Sequence, residues 1–366
     1  MQYDYLIVGA GLFGATLANR LYTSGKKVLV VEKKDCIGGA CRTEEINGID
    51  VHKYGPHIFH TNMASIWNYV NKFVEFEPFI NAPLVKSRGE LFNLPFNMNT
   101  FSKLWGVKRP VEAEVIINEQ KELRLRYDNV EALALSMIGA NLYERFIKGY
   151  TEKQWGKSCK ELPASILKRI PVRYTYDNHY YNDRFQGVPK HGYTQLISNM
   201  LHGIDVQCDI DGNKFIENNP TIAKHIIHTG MIDEYFDYQF GRLEYRSLMF
   251  IEKTYDGSNY QGNAVINYAD EDIPYTRSVE HCHFLKQYRD KTIITYEIPV
   301  EYDGTNEPYY PVPTKENLEA YQKYLNLAEY SGIIFCGRLG GYEYANMDTT
   351  IENAFDLYNK LMEEKE

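Results

Sequence analysis

"YLIVGAGLFG", Tyr5 to Gly14, is an apolar run that enters a glycine-rich turn. Residues 3–8 alternate and then run apolar as a buried parallel strand does, Gly9 to Gly14 turn the chain, and "ATLANRLYTSG" reads as a helix ending at Gly25. "KVLVVEK" follows as a second strand, so the glycines sit in the βαβ context that gives them meaning. Gly9 permits the tight turn, Gly11 lets backbone approach a pyrophosphate at the helix N-terminus, and Gly14 lets helix pack on strand. Glu32 closes the second strand eighteen residues beyond Gly14, where an acid can bind a ribose 2′-hydroxyl. The stretch predicts a dinucleotide-binding unit, and its first implication is redox chemistry.

The rest of the chain bounds that implication. Its 366 residues are 44% hydrophobic and 24% charged, as in a soluble globular protein of two or more domains. A formal net charge of −9 argues against a nucleic-acid partner, so any anionic ligand must meet a local basic cluster. No run is long enough for a membrane span and no signal-peptide pattern opens the chain, which predicts a cytoplasmic protein. Cys36, Cys41, Cys159, Cys208, Cys282 and Cys336 form no CxxC pair and are expected as free thiols. His281-Cys282-His283 places both histidines on one face of a strand, but with no further ligand group nearby no metal is expected. Tyrosine is abundant, at 31 residues, and clusters in "YTYDNHYYNDRF", "EPYYPV" and "GYEYAN"; such clusters suit a polar aromatic ligand, although most of the 31 are expected at half-buried sheet positions.

Along the chain, "TEEINGIDVHKY" reads as a hairpin on Asn47-Gly48, and residues 65–76 as a helix with Ile66, Val70 and Phe73 on one face. The stretch 79–96 is extended and turn-rich. Residues 99–148 read as helical, most clearly in "NVEALALSMIGANLYERFIKG", with Leu133, Met137 and Phe146 on one side and Gly149 as terminator. Residues 230–312 alternate as an antiparallel sheet does. The α/β style then returns: "KENLEAYQKYLNLAEYSG" is a helix, "IIFCGR" a buried strand, and "TTIENAFDLYNKLM" a helix opened by a Thr349/Glu352 capping box. The expected fold class is α/β with α+β insertions. A discontinuous Rossmann-like domain takes residues 1–78, 190–228 and 313–366; a helical domain takes 97–170; an antiparallel sheet domain takes 79–96, 171–189 and 229–312.

After Glu32, "KKDCIGGACRT" brings a second glycine pair, Gly38-Gly39, typical of FAD-binding rather than NAD-binding proteins. A late strand followed by "GR" and a helix is also flavin-like. Six separated motifs then occur in order: "YGPHIFHTN" at 54–62, "KGYTEKQWG" at 148–156, "ELPASILKRIPVR" at 161–173, "DRFQGVPKHGYTQ" at 183–195, "NYAD" with "PYTR" at 267–277, and "GRLGGYEYANMD" at 337–348. In these the chain resembles the UDP-galactopyranose mutases over essentially its whole length. The resemblance implies an isomerase that interconverts UDP-galactopyranose and UDP-galactofuranose, supplying galactofuranose for cell-surface glycans. Reduced FAD would act through N5 as a covalent nucleophile on galactose C1 with no net redox. A homodimer is implied as well.

Residue by residue, the resemblance implies that Arg169 and Arg277 clamp the diphosphate, with hydroxyls from Tyr180, Tyr310 and Tyr344 beside them. Phe146, Tyr150, Thr151, Trp155 and Asn267 correspond to the uridine-binding set, His60 to a histidine beside the flavin and Asn81 to one near the sugar. Gly9, Gly11, Phe13, Gly14, Glu32, Gly38 and Gly39 belong to the cofactor-binding set, joined by Arg338 on a flavin phosphate and by Met347-Asp348 as a backbone cradle. The segment 163–173, which begins with Pro163 and carries Arg169 and Pro171, is expected to open without substrate and close over it. Without the family, Phe146 reads as helix core, His60 as a turn residue and either arginine as half of a surface ion pair. One departure stands out: Asn346 replaces the acid that many bacterial members carry in "YLDMD". Two other readings share the N-terminal signature. An oxidoreductase of the flavin amine-oxidase type would leave the arginine–tyrosine set unexplained, and a non-catalytic binder such as a GDP-dissociation inhibitor would have lost the flavin motifs, which here are intact.

Overall fold

The computed structural model describes residues 3–123, 127–167 and 172–363. Strand Tyr3–Val8, helix Leu12–Thr23 and strand Val28–Val31 form the expected βαβ unit. The two strands pair in parallel from Tyr5 opposite Val28 to Val8 opposite Val31. They lie inside a five-stranded parallel sheet that continues through Ala223–His228 to Ile333–Phe335 on one side and Asp205–Gln207 on the other. Leu6 and Leu29 are buried on one face, and Tyr5, Ile7, Leu17 and Leu21 on the other. Both faces are therefore covered, which is why these strands read as continuous apolar runs. Gly14 is required by contact: a Cβ there would lie 2.0 Å from the Gly9 carbonyl oxygen and 3.3 Å from Ile7.

The second layer is a seven-stranded sheet. Its order runs Tyr310–Pro311, Tyr245–Asp256, Lys291–Glu301, Arg277–Glu280, Val265–Tyr268, Leu84–Ser87, Glu90–Asn93. Neighbours are antiparallel except for the parallel pair Val265–Tyr268 with Leu84–Ser87. Helices Met98–Trp105, Pro110–Gln120, Val130–Leu142 and Lys148–Trp155 share a core with the edge of this sheet, including Phe92, Phe96, Ile138 and Phe146. The fold is thus a Rossmann-like α/β unit with a helical group and a largely antiparallel sheet. No helix among the described residues is long and apolar enough to cross a membrane.

Several local expectations hold. The 43–46/49–52 hairpin turns on Asn47 and Gly48, both with positive φ, and all six cysteines are free thiols. Others are corrected. Helix Ala64–Val70 stops short of residue 76, and Phe76–Pro78 is a strand paired with Phe185–Pro189. Gly149 terminates nothing: the chain passes through a π-turn at Tyr143–Ile147 into helix Lys148–Trp155, which ends at Gly156 with φ +66°. The break falls earlier, at Gly139, whose φ of +75° interrupts helix Val130–Leu142. The Thr349/Glu352 capping box is absent because the last helix already begins at Met347, where the Asn346 carbonyl accepts the Thr350 N–H. His281–His283 is a 3-10 turn rather than a strand, so the two histidines part: buried His281 faces Thr295, while half-buried His283 meets Glu280. Glu280 is therefore a third potential ligand group, within 4.8 Å of Cys282 and His283. Its oxygens are already taken by the N–H groups of Tyr260 and Gln261.

Because Gly14 lets helix and strand touch, Gly14→Ala forces them apart. We expect it to lower stability by roughly 1–3 kcal/mol, read as a fall in the urea unfolding midpoint. An unchanged midpoint would mean that the contact relaxes without cost.

Candidate functional site

The glycine cradle is built backbone on backbone. Gly38 donates its N–H to the Ala10 carbonyl at 3.0 Å, and a Cβ on Gly39 would stand 2.9 Å from the Gly11 Cα. Glu32 is buried at its strand end, where Oε2 accepts the Ala10 N–H at 2.7 Å and Oε1 the Lys34 N–H at 3.1 Å. A space with small residues on both sides, a helix N-terminus and a buried acid fits a dinucleotide. Phe13 packs beside Gly337, and Met347 and Asp348 open the last helix, with Asp348 Oδ1 accepting the Thr349 N–H. A cavity of about 210 Å³ lined by Phe13, Cys336, Gly337, Arg338 and Ala345 adjoins this cradle.

The other half of the site forms around Arg277. It faces Glu297 across one rung of the sheet; Nε donates to Glu297 Oε2 at 2.8 Å and Nη2 lies 2.7 Å from the same oxygen. Glu297 has no solvent exposure and its second oxygen, Oε1, has no hydrogen-bond partner. Burial raises the Glu297 carboxyl above the ordinary range, and Arg277 pulls it back only in part. Burial likewise opposes the charge on Arg277, but Glu297 and the oxygens of Tyr150, Tyr310 and Tyr344 hold its proton well above the ordinary guanidinium range.

Those three tyrosines and Tyr180 arrive from four places. Tyr150 comes from helix Lys148–Trp155, Tyr180 from the loop after residue 173, Tyr310 from the edge strand and Tyr344 from the stretch before the last helix. Tyr310 and Tyr344 meet edge to face at 5.3 Å, and Trp155 lies 6.3 Å from Tyr310. The Arg338 guanidinium stands 5.5 Å over Tyr344 and 6.0 Å over Tyr310. Burial pushes the Tyr150 hydroxyl up to about 12, and Tyr180 and Tyr310 upward too, so these hydroxyls stay protonated donors at neutral pH. The loop carrying Tyr180 is gathered by Arg173, which bonds Asp177 at 2.8 Å, the His179 carbonyl and Asn182.

The remaining expected site residues divide. Asn267 stands directly opposite Arg277 in the ladder, its Nδ2 on the Leu84 carbonyl. Asn81 is buried; its carbonyl accepts the Tyr180 N–H at 2.8 Å. Thr151 is buried on the same helix as Tyr150. Phe146 is 3% exposed and packed at 5.1 Å on Phe92 and 5.3 Å on Phe96, so it sits in the helical core rather than among the tyrosines. His60 lies one layer out: Nδ1 is 2.6 Å from Asp183 Oδ2 and its ring stacks on Tyr181 at 3.7 Å. Arg169 lies outside the described residues, as do Lys168, Ile170 and Pro171.

The histidine that feels both Arg338 and Arg277 is His57, which the sequence reading passed over. Burial first, then those two arginines, push it down to about 4, so it is neutral at pH 7. Nδ1 is 2.8 Å from the Gly55 carbonyl, and the His57 N–H donates to His52 Nδ1. The available signal was the Gly55-Pro56 turn directly before it; His60 sits three residues on, in strand Phe59–Thr61. Glu297 was missed as well, although an acid inside "TYEIPV" is an anomaly in an apolar strand. A wider groove of about 1220 Å³ lies elsewhere, lined by six glutamates against Lys148, Lys157 and Lys160, a balance that opposes an anionic ligand.

A family model described as UDP-galactopyranose mutase matches residues 145–344, and one for an NAD(P)-binding Rossmann-like domain matches residues 7–73. The chain is 40% identical to a Klebsiella pneumoniae protein named "Probable UDP-galactopyranose mutase", covering 98% of this chain and 94% of that one. It is 38% identical to a dTDP-fucopyranose mutase of Escherichia coli, covering 96% of each. A crystal structure of reduced UDP-galactopyranose mutase superposes with a TM-score of 0.78 at 14% identity, over 99% of this chain and 94% of that one, which is likeness of fold.

The buried histidines make acid sensitivity testable. An unfolded histidine binds its proton near pH 6.5, whereas His57 and His228 in the fold bind theirs near 4. Between those values the unfolded chain holds more protons, so stability falls as pH drops through that window. We expect the urea midpoint to decline from pH 7 to pH 5, on the order of 1–2 kcal/mol per histidine. His57→Gln should make the decline shallower; an identical slope would mean that His57 takes up its proton in the fold as readily as in the unfolded chain.

Proposed function

This chain belongs to the UDP-galactopyranose mutase family, and from that premise we propose that it interconverts UDP-galactopyranose and UDP-galactofuranose on bound FAD, without net oxidation. The reading is supported above all by the meeting of Arg277, Arg338 and the tyrosine hydroxyls beside a dinucleotide cradle. Ring contraction requires the bond between the anomeric carbon and the nucleotide to break, and negative charge grows on the diphosphate as it does. Guanidinium forks and neutral hydroxyl donors stabilise that charge, more strongly in a water-poor site. Arg277 commits Nε and Nη2 to Glu297 and has Nη1 to offer. Tyr150, Tyr180 and Tyr310 donate from burial-raised hydroxyls, and the rings of Tyr310 and Tyr344 lie under the Arg338 guanidinium. Arg169, carried over from its motif, would supply a further arginine when segment 163–173 closes.

The backbone of Gly9, Gly11, Gly14, Gly38 and Gly39, with Glu32, Phe13, Met347 and Asp348, would hold FAD. Reduced FAD, when bound, supplies at N5 a nucleophile for the anomeric carbon, so the sugar can be opened without losing electrons. His57, kept neutral beside both arginines, adds a hydrogen-bonding group without adding charge. Asn81, Asn267 and Trp155 complete the walls around sugar and nucleoside. A cytoplasmic homodimer supplying galactofuranose for surface glycans completes the proposal.

A second substrate is favoured by one observation, the 38% identity to a dTDP-fucopyranose mutase over nearly the whole chain. The two donors share the diphosphate that the arginines would bind. They differ in the sugar 6-hydroxyl, the ribose 2′-hydroxyl and the base 5-methyl group.

The test is turnover of each nucleotide sugar by dithionite-reduced protein. UDP-galactofuranose should convert to the pyranose only after reduction, with deuterium at C2 and C3 fully retained. Faster turnover of dTDP-fucopyranose would transfer the assignment to that donor, and loss of label would return the chain to the oxidoreductases. Arg277→Ala and Arg169→Ala should each cut kcat by roughly a hundredfold or more, about 3 kcal/mol, with flavin still bound. Near-wild-type rates in both would remove the clamp from the site.

A further inference from the structure

Helix Lys148–Trp155 sends Tyr150 and Trp155 toward the tyrosine set, and with Gly149 and Lys153 it grips a loop. That loop joins strand Val265–Tyr268 to strand Arg277–Glu280, and the facing pair Asn267 and Arg277 closes the hairpin at its base. Gly149 and Lys153 are one helical turn apart and share a face. A Cβ on Gly149 would lie 2.3 Å from the Ala269 carbonyl oxygen, so here the helix touches the loop backbone directly. One turn on, the Lys153 ammonium donates to the carbonyls of Tyr268 at 2.8 Å, Asp270 at 2.7 Å and Ile273 at 3.0 Å, and more weakly to Tyr275 at 3.3 Å.

This is an unusual use of a lysine. Among the described residues no carboxylate lies within ion-pair distance of Lys153; burial pulls its ammonium down to about 8, and Asp270, Asp272 and Glu271 offset that only in part through space. The Asp270 side chain points the other way, accepting from Ser87 Oγ at 3.2 Å and the Arg88 N–H at 2.7 Å. The loop is thus pinned on one side by the turn after Leu84–Ser87 and on the other by the ammonium. Three N–H groups spread tetrahedrally from a point charge suit several converging carbonyls; a planar amide or guanidinium does not.

We propose that Lys153 is a positioning residue, which holds the Asn267–Arg277 hairpin end at a fixed distance from the helix carrying Tyr150 and Trp155. Nucleoside and diphosphate are then engaged together rather than separately. The inference rests on the diphosphate role given to Arg277 above. It concerns a residue that touches neither ligand and acts only through the loop.

The discriminating quantity is the affinity gained by adding the diphosphate, the ratio of uridine to UDP dissociation constants in the flavin-loaded enzyme. Lys153→Met keeps the apolar stem and removes the donors. It should leave flavin content and uridine affinity near wild type and weaken UDP by about tenfold or more, with a parallel fall in kcat. A wild-type ratio in Lys153→Met overturns the inference, and so does an equal loss of uridine and UDP affinity, which would mark general structural support. Should Lys153→Met fail to fold as a flavoprotein, the same ratio is read in Lys153→Gln, which retains two N–H groups; an undiminished ratio there overturns it too. Arg277→Ala run in parallel separates the two levels. If that variant keeps the ratio, the diphosphate site itself is misassigned and the Lys153 inference falls with it. If Arg277→Ala abolishes the ratio while Lys153→Met preserves it, only the role of Lys153 fails.

Discussion

A carboxylate without solvent exposure, Glu297, faces Arg277 across one rung of the seven-stranded sheet, and the site is arranged around that pair. Burying two charges costs several kcal/mol per ion unless geometry and hydrogen bonds repay it, and removing one partner leaves the other uncompensated. The register of strands Arg277–Glu280 and Lys291–Glu301 is therefore tied to the site. The free oxygen of Glu297 also reaches the far side: a Cβ on Gly55 would stand 3.0 Å from it. The same carboxylate that orients Arg277 thus sits against the Gly55-Pro56-His57 turn, which links the sheet to the histidine held neutral beside the arginines.

That pairing explains how an acidic chain can present a site for an anion. Net charge of −9 works against a diphosphate at long range, and Glu297 offsets the formal charge of Arg277 at short range. What remains is directional: a guanidinium fixed by its partner, a second one at Arg338, and tyrosine hydroxyls that burial keeps protonated. In a low-dielectric pocket such donors interact strongly while adding no negative charge.

Much of this was legible in the chain because much of it is local. The βαβ unit, the Asn47-Gly48 hairpin and the helix Lys315–Ser331 ending at Gly332 are each specified within a dozen or so neighbouring residues. Arg277 and Tyr150 were identified only through family motifs; Tyr180, Tyr310 and Tyr344 lie in tyrosine clusters that composition already marked, but the motifs alone singled them out. Local signals also misled. Gly149 looks like a helix stop but is there because the Ala269 backbone passes close by, and Thr349-x-x-Glu352 looks like a helix start although the helix has already begun. In "GPHIFHTN" two histidines compete; the one facing the arginines is decided by which side of the turn packs on Glu297 and Arg338.

The sequence by itself determined the periodicities, turns and glycine spacings that make a dinucleotide-binding α/β unit, because those depend on contacts only a few residues apart. Only the tertiary structure decided which charges are buried together, that His57 stands with the arginines and His60 behind them, that Phe146 is core, and that Lys153 caps a loop more than a hundred residues away in the chain. Protonation, burial and donor geometry are properties of what surrounds a side chain, and those surroundings are assembled from segments that sequence order keeps apart.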